Sequence, residues 1–282
     1  MCSVAHGGTD HLPGWECCAV LAREELCADT VYLIIAAPAI AAVASPGQFV
    51  QVGVGSAGAT DPFLRRPISL AHIDAAAGTI GLVIRAIGRG TRNLLALQAG
   101  AKVDLLGPIG HGFPADLSGR VLLVGGGVGA APLLPLAARL AATAPATGQA
   151  AGGAGAVFLV GARTRPELWG AALGARAGAQ CVVSTDDGSA GHHGLVTDLV
   201  KAQLAAGPVD AVCACGPLPM MRVVASLAAD AGVPCYVSLE QRMGCGIGAC
   251  LGCAWPRSAS AGGGYARVCV DGPVFAATEV VL

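Results

Sequence analysis

The sequence predicts a multi-domain chain combining β and α/β architecture: an N-terminal antiparallel β-barrel, a parallel α/β domain and a small C-terminal cysteine domain. Three observations predict it. Short apolar or alternating runs recur up to about residue 110, separated by Gly, Pro and Asp. From residue 120 to about 235, strand-like apolar runs alternate with helical ones rich in alanine and leucine. The last four cysteines then crowd into the tail, spaced Cys245-x4-Cys250-x2-Cys253-x15-Cys269.

Residues 1–14 read as an N-terminal extension with no assigned role. They lack the basic start and apolar core of a signal peptide. Across 15–117, "TVYLIIAAP", "GQFVQVGVG", "RPISLAHID", "GTIGLVIRAIG" and "KVDLLGPIG" are the expected barrel strands. Across 118–235, "RVLLVGG", "AVFLVGA", "CVVSTDD" and "VDAVCACGP" each precede a helical run, the order of a parallel sheet with covering helices. Residues 142–156 form a low-complexity Ala/Gly loop. The tail, 236–282, is too short to hold a core without a staple. No internal repeat is visible.

Composition excludes several classes. The 282 residues carry a formal net charge of −1 and no basic patch, so nothing attracts nucleic acid. Two stretches resemble membrane spans. Residues 31–44 are too few and are broken by Pro38, and a glycine triplet divides 121–138. No membrane association is expected. Twelve cysteines without a leader point to a reducing, cytoplasmic location. Of these, Cys17, Cys18, Cys27, Cys181, Cys213 and Cys235 read as small buried hydrophobes.

The chemistry concentrates in the motifs. Three cysteines on one loop and a distant fourth follow the plant-type spacing of a 2Fe–2S cluster. Gly244, Gly246, Gly248 and Gly252 would let the backbone aim N–H groups at sulfur. Zinc also binds four thiolates, though usually through two short knuckles. In "VLLVGGGVGAAPLLPL", a strand runs into Gly127-x-Gly129-x-x-Pro132 and then a helix, with Pro132 suited to its first position. The motif departs from the usual dinucleotide fingerprint at Pro132, and a tight turn explains it equally well. Cys215-Gly216-Pro217 sits at a strand's carboxyl end, where open α/β sheets bind ligands. In "FLRRPISLAHID", Arg66 would meet a phosphate and Ser69 an isoalloxazine ring; a strand with one polar face is the simpler reading. Thr91 in "GRGTRNLLAL" is a candidate N-cap. Asp186 and Asp187 read as part of a solvated turn, His192 and His193 as solvent-facing, and Arg163 and Arg165 either meet a ribose 2′-phosphate or merely decorate a loop.

Taken in order, "RRPIS", "GLVIRAIGRGT", "VGGGVGAAP", "TDDGS", "CGP" and "CGIGACLGCAW…VCVDGPVF" resemble the electron-transfer subunits of NAD-dependent dihydroorotate dehydrogenases. These subunits fall within the ferredoxin–NADP reductase superfamily. The resemblance spans about 15–282 and implies FAD on the barrel, held by Arg66, Pro67, Ile68, Ser69, Val83, Ile84, Arg85, Gly90 and Thr91. It implies NAD over Gly125, Gly127, Gly129 and Pro132, with Cys215 and Gly216 near the nicotinamide. Cys245, Cys250, Cys253 and Cys269 would hold the 2Fe–2S cluster. No residue set suits dihydroorotate, so the resemblance implies an FMN-containing catalytic partner, in a heterotetramer of two of each chain, serving pyrimidine biosynthesis. Hydride transfer would occur at FAD, with Ser69 and Cys215 nearby. Two other readings stay open: an NAD(P)H reductase or transhydrogenase subunit of the same superfamily, and a zinc-stapled scaffold.

Overall fold

The computed structural model describes residues 14–55, 61–143 and 155–282. The extension, apart from Gly14, and most of the 142–156 loop lie outside the described residues. Six antiparallel strands close a barrel: β1 (Gly14–Cys27), β2 (Thr30–Ala36), β3 (Phe49–Val52), β4 (Arg66–Asp74), β5 (Thr79–Arg85) and β6 (Lys102–Ile109). Alternation drives the closure. Leu33 and Ile35 from β2, Ile80, Leu82 and Ile84 from β5, and Leu105 from β6 meet in one core, fully buried. The five expected strand runs all pair.

The sixth strand, β1, is the barrel element the sequence hid. Its charged residues and two register shifts against β2, at Val20/Ala22 and Glu25/Cys27, break the period of two. Cys18 is buried there, but Cys17 is exposed, and Cys27, Cys181 and Cys235 are only half-buried. The expected burial of all six scattered cysteines therefore holds fully for Cys18 and Cys213. After β2, Pro38 opens the short helix α1 (Pro38–Val43). The run 31–44 is thus strand plus helix. Among the described residues no helix is long and apolar enough to cross a membrane.

The second sheet runs β10-β9-β8-β7-β11-β12-β15. Six of its strands run parallel, β7 (Arg120–Gly126), β8 (Gly155–Ala162), β9 (Gln180–Thr185), β10 (His192–His193), β11 (Ala211–Cys215) and β12 (Cys235–Ser238), and the edge strand β15 (Val274–Ala276) joins antiparallel. Four helices cover it: α3 (Leu134–Thr143), α4 (Trp169–Arg176), α5 (Val196–Ala206) and α6 (Leu218–Asp230). Leu122 and Val124 of β7 pack into one core with Val200 of α5 and Val224 of α6. Val121 and Leu123 pack on the opposite face with Leu136 of α3 and Leu173 of α4. Burial on both faces explains why these strands read as unbroken apolar runs.

Two local expectations are corrected. Gly127–Leu133 winds as a 3-10 turn with Pro132 inside it, so Pro132 does not start the α-helix. The short helix α2 (Arg89–Leu95) is capped by Gly88, and Thr91 occupies its third position. The tail forms the hairpin β13 (Ala254–Pro256) and β14 (Tyr265–Arg267), then β15 (Val274–Ala276), antiparallel to β12. Strand β12 straddles the 235/236 line. Buried Cys253, Ala266, Val268 and Cys269 share one core with the sheet, so the tail does not fold over a core of its own.

Candidate functional site

A groove of about 660 Å³ opens on the barrel, walled by Arg66–Ser69 of β4, Val83 and Arg85 of β5, Thr91, and residues 239–243. Strand pairing sets Ser69 opposite Phe49, another wall residue. The Arg66 guanidinium lies flat on Gly90: an added Cβ there would fall 2.7 Å from Arg66 Nε. Thr91 Oγ1 accepts the Gly88 N–H at 3.0 Å and the Ile87 N–H at 2.9 Å, folding the turn back on itself. Arg66 of β4 thus forms one corner with the adjacent Gly90 and Thr91 of α2. Val83 and Arg85 face the groove, whereas Ile84 between them points into the barrel core. Arg85 Nε donates to Asp29 Oδ2 at 2.9 Å. Desolvation raises the Asp29 carboxyl, but hydrogen bonds from Thr30, Arg85 and Cys27 outweigh it and hold the group below the usual range.

A second groove, about 700 Å³, lies at the topological switch between β7 and β11. Gly127, Gly129 and Gly216 line it. A Cβ on Gly129 would sit 2.4 Å from the Cys215 carbonyl oxygen, so the two strand-end loops touch there and only glycine fits. Gly127 has φ +55° and nothing within 4 Å of an added Cβ, so it faces open groove. Gly125, Pro132 and Cys215 form the buried layer behind. Burial, then the nearby Glu240 charge, pushes the Cys215 thiol upward, against a hydrogen bond with Ser238. At the far end Arg163 pairs with Glu167 (2.7 and 3.2 Å), beside Asp186. Arg165 Nε instead donates to the Ser189 carbonyl at 3.0 Å, outside the groove wall. Ser189 Oγ donates to Asp187 Oδ1 at 2.6 Å. His192 and His193 are exposed, with His192 Nε2 3.3 Å from Asp198 Oδ2.

The two grooves share a wall made by Arg85, Val128, Leu239 and Glu240. Glu240 is open to the groove yet enclosed by protein, and desolvation pushes its carboxyl up.

Residues 241–243 lead from this wall directly into the cysteine loop. Its sulfurs fall in two pairs. Cys245 Sγ accepts hydrogen bonds from the Ile247 and Cys250 N–H groups, both at 3.4 Å, and from the Cys250 thiol. Cys253 and Cys269 sulfurs lie 3.2 Å apart, and the Cys269 N–H points at Cys253 Sγ at 3.4 Å. Desolvation would raise the Cys245 thiol, but the N–H groups of Cys250 and Ile247 bring it down to about 7. Burial and the Cys253 thiol push Cys269 up to about 12.

Among the described residues, no three His, Cys, Asp or Glu side chains gather tightly enough to hold one metal ion. Two sulfur pairs suit a binuclear cluster, in which two bridging sulfides leave each tetrahedral iron two positions for thiolate. A single zinc would draw all four to one point. Gly246 (φ +73°) and Gly248 (φ +83°) make the wrap possible, and Leu251 alone among described non-glycine residues has positive φ, at 58°. Cys250, Ile247 and Leu251 are exposed at the surface.

Sequence reasoning missed Phe49, residues 239–243 and Pro273 in the first groove, and Thr197, Met220 and Trp255 in the second. Only "SLEQRM", the link between the last parallel strand and Cys245, carried a usable signal: its position between the two motifs.

Comparison with known proteins agrees with this geometry. Residues 240–281 match the model of the iron–sulfur cluster binding domain of dihydroorotate dehydrogenase B. The chain is 42% identical over 274 residues to the dihydroorotate dehydrogenase B (NAD(+)) electron transfer subunit of Geobacillus thermodenitrificans, covering 95% of this chain and 99% of that one. It is likewise 42% identical over 268 residues to the subunit of the same name from Bacillus caldolyticus, covering 93% and 97%. Among solved structures, a chain of the NADH-dependent reduced ferredoxin–NADP oxidoreductase studied for flavin-based electron bifurcation superposes with a TM-score of 0.80. That match has 30% identity and covers 98% of this chain and 91% of the other. With near-complete coverage of its relatives, the chain belongs to the family of dihydroorotate dehydrogenase B (NAD(+)) electron transfer subunits.

Proposed function

We propose that this chain passes electrons between a nicotinamide nucleotide and a partner subunit that oxidises dihydroorotate. One observation carries the reading: two grooves share a wall, and the segment forming that wall runs on into the paired cysteines. FAD, when bound, exchanges hydride with the nicotinamide and single electrons with a 2Fe–2S cluster.

The residues divide the work. Arg66, seated on Gly90 beside Thr91, neutralises phosphate charge in the barrel groove. Pro67, Ile68, Ser69 and Val83 line the ring end, while Ile84 backs them from the barrel core. Gly127, Gly129 and Gly216 bring bare backbone to the nucleotide, and Gly125, Pro132 and Cys215 support that surface from behind. Burial keeps the Cys215 thiol protonated behind the nucleotide loop. Arg163 is already engaged by Glu167 beside Asp186, an end of the groove that favours ribose hydroxyls over a 2′-phosphate, hence NAD. Cys245 and Cys250 as one pair, and Cys253 and Cys269 as the other, would supply the four thiolates that hold the cluster.

The exposed Cys250, Ile247 and Leu251 mark where electrons cross to the partner. That partner carries FMN and assembles with this chain two to two, in the cytoplasm; the described cysteines are all unpaired, which suits a reducing compartment. Native mass measurement of the co-expressed complex tests the stoichiometry.

The deciding experiment is anaerobic reduction of the loaded chain by NADH. Flavin absorbance should bleach first, a paramagnetic cluster signal should follow, and dihydroorotate should replace NADH as donor only with the partner present. Iron and sulfide absent from chain made under iron-replete anaerobic conditions, with zinc in their place, would overturn the reading. The likeness to the bifurcating oxidoreductase chain supports a second reading, a transhydrogenase subunit. Electron exchange with a ferredoxin-linked partner instead of a dihydroorotate-oxidising one would establish it.

A further inference from the structure

Gln51, in the middle of β3, is fully buried. Its Oε1 has no hydrogen-bond partner, and Nε2 reaches only the Met243 sulfur, at 3.9 Å. A buried amide left this way loses its water and gains little in return; an aliphatic side chain of the same size would fill the space without that loss. The residue is therefore unexplained by packing alone.

Its position supplies the explanation. In register, Gln51 lies opposite Pro67 of β4, and both Pro67 and Phe49, two residues along β3, wall the flavin groove. On its other side the amide presses on the cysteine loop. A Cβ added to Gly246 would fall 2.5 Å from Gln51 Nε2, 2.7 Å from its Cγ and 3.0 Å from its Cδ. Gly246 directly follows Cys245, and Met243 precedes it by two residues. A single side chain thus spans from the barrel wall to the backbone of the cluster loop, with its polar end aimed at that loop.

We infer that Gln51 is a positioning residue for the iron–sulfur cluster: its buried amide braces the Gly246 turn from the flavin side and completes its hydrogen bonding with the loaded loop. The inference rests on the reading of the loop as a 2Fe–2S site. A donor directed at a cluster's thiolate shell stabilises the more negative, reduced state, so its removal lowers the reduction potential.

The test uses the full chain loaded with FAD and cluster. Gln51→Met removes the polar end at nearly constant length, Gln51→Glu keeps the shape but offers only acceptors, and Gln51→His restores a donor. FAD content reports that the barrel still folds. In Gln51→Met the reduced-to-oxidised ratio of the cluster at fixed potential should fall about tenfold, or about 59 mV for one electron, read by paramagnetic resonance during a redox titration. Iron should leave to a chelator roughly ten- to a hundred-fold more readily. Gln51→Glu should shift the potential further down and Gln51→His should recover part of it. A purely steric brace would loosen iron in Gln51→Met without moving the potential, and that result overturns the inference. So does wild-type behaviour of Gln51→Met in both measurements. Failure of the wild-type chain to acquire iron and sulfide overturns the cluster reading as well, and is seen before any variant is made.

Discussion

Single residues of the proposed cofactor grooves separate binding from packing. Arg66 is half-buried against Gly90, its charge turned toward the groove. Arg66→Ala should lose a charge-assisted contact and weaken FAD by about 1.5–3 kcal/mol, roughly ten- to a hundred-fold in affinity. Equilibrium titration of flavin into stripped protein measures it, and full flavin with unchanged affinity would remove Arg66 from the site. The glycines of the nucleotide loop act for different reasons. Gly129 is required by its contact with the Cys215 carbonyl, so any side chain there drives two loops apart. Gly127 sits in the left-handed region with open groove ahead of it, a conformation asparagine tolerates. Gly127→Asn should therefore keep the fold, flavin and cluster and raise the KM for NADH about tenfold, ~1.4 kcal/mol. Stopped-flow reduction of the flavin checks it; unchanged NADH kinetics would place the nucleotide elsewhere. The sequence made the glycines visible as a motif but could not tell which faces a ligand and which a neighbouring loop, since that depends on β11 lying beside β7.

At the level of elements, legibility followed periodicity. Strands such as β2, β5, β7 and β8 announce themselves because one or both faces are apolar without interruption. β1 does not, because its two register shifts and its charges Glu16, Arg23, Glu24 and Glu25 erase the alternation. The cysteine loop is the opposite case: it has almost no regular structure, yet spacing alone singles out its four sulfurs, which the structure gathers into two pairs. What spacing could not give is Gln51, contributed from a strand nearly two hundred residues away in sequence. Cys250→Ala should abolish the cluster's paramagnetic signal and raise hydrogen exchange across 241–271, while NADH still bleaches the flavin at the native rate. That half-reaction precedes the cluster, so a slowed flavin step in Cys250→Ala would show that the loop also shapes the flavin groove.

Across the whole molecule, the barrel and the α/β sheet are tied on the face away from the cysteines by Arg176 of α4, which grips Glu24 of β1 at 2.8 and 2.9 Å. The Arg176 hydrogen bond, only partly offset by desolvation, lowers the Glu24 carboxyl. A lowered folded value means that the tie contributes in full above the ordinary glutamate range, near 4.3, and is lost as pH falls through the folded value. Glu24→Gln should consequently loosen hydrogen exchange in β1 and α4 at pH 7, and the difference from wild type should vanish once acid protonates Glu24. A difference that persists in acid would assign the seam to packing instead. Domain order was readable from texture, because period-two runs give way to strand–helix alternation. The seams between domains were not, since they depend on pairs such as Glu24 and Arg176 that no local pattern marks.

The placement of β15 beside β12 bears on how such a protein ages. The cysteine segment is a long detour between two adjoining strands of one sheet, so both of its ends are anchored whether or not iron is present. Oxidative loss of the cluster should then loosen a tethered loop, and with it the groove walls that residues 241–243 and Trp255 supply, while β12 and β15 keep their pairing. A protease cut inside the detour should therefore leave two fragments that still co-purify.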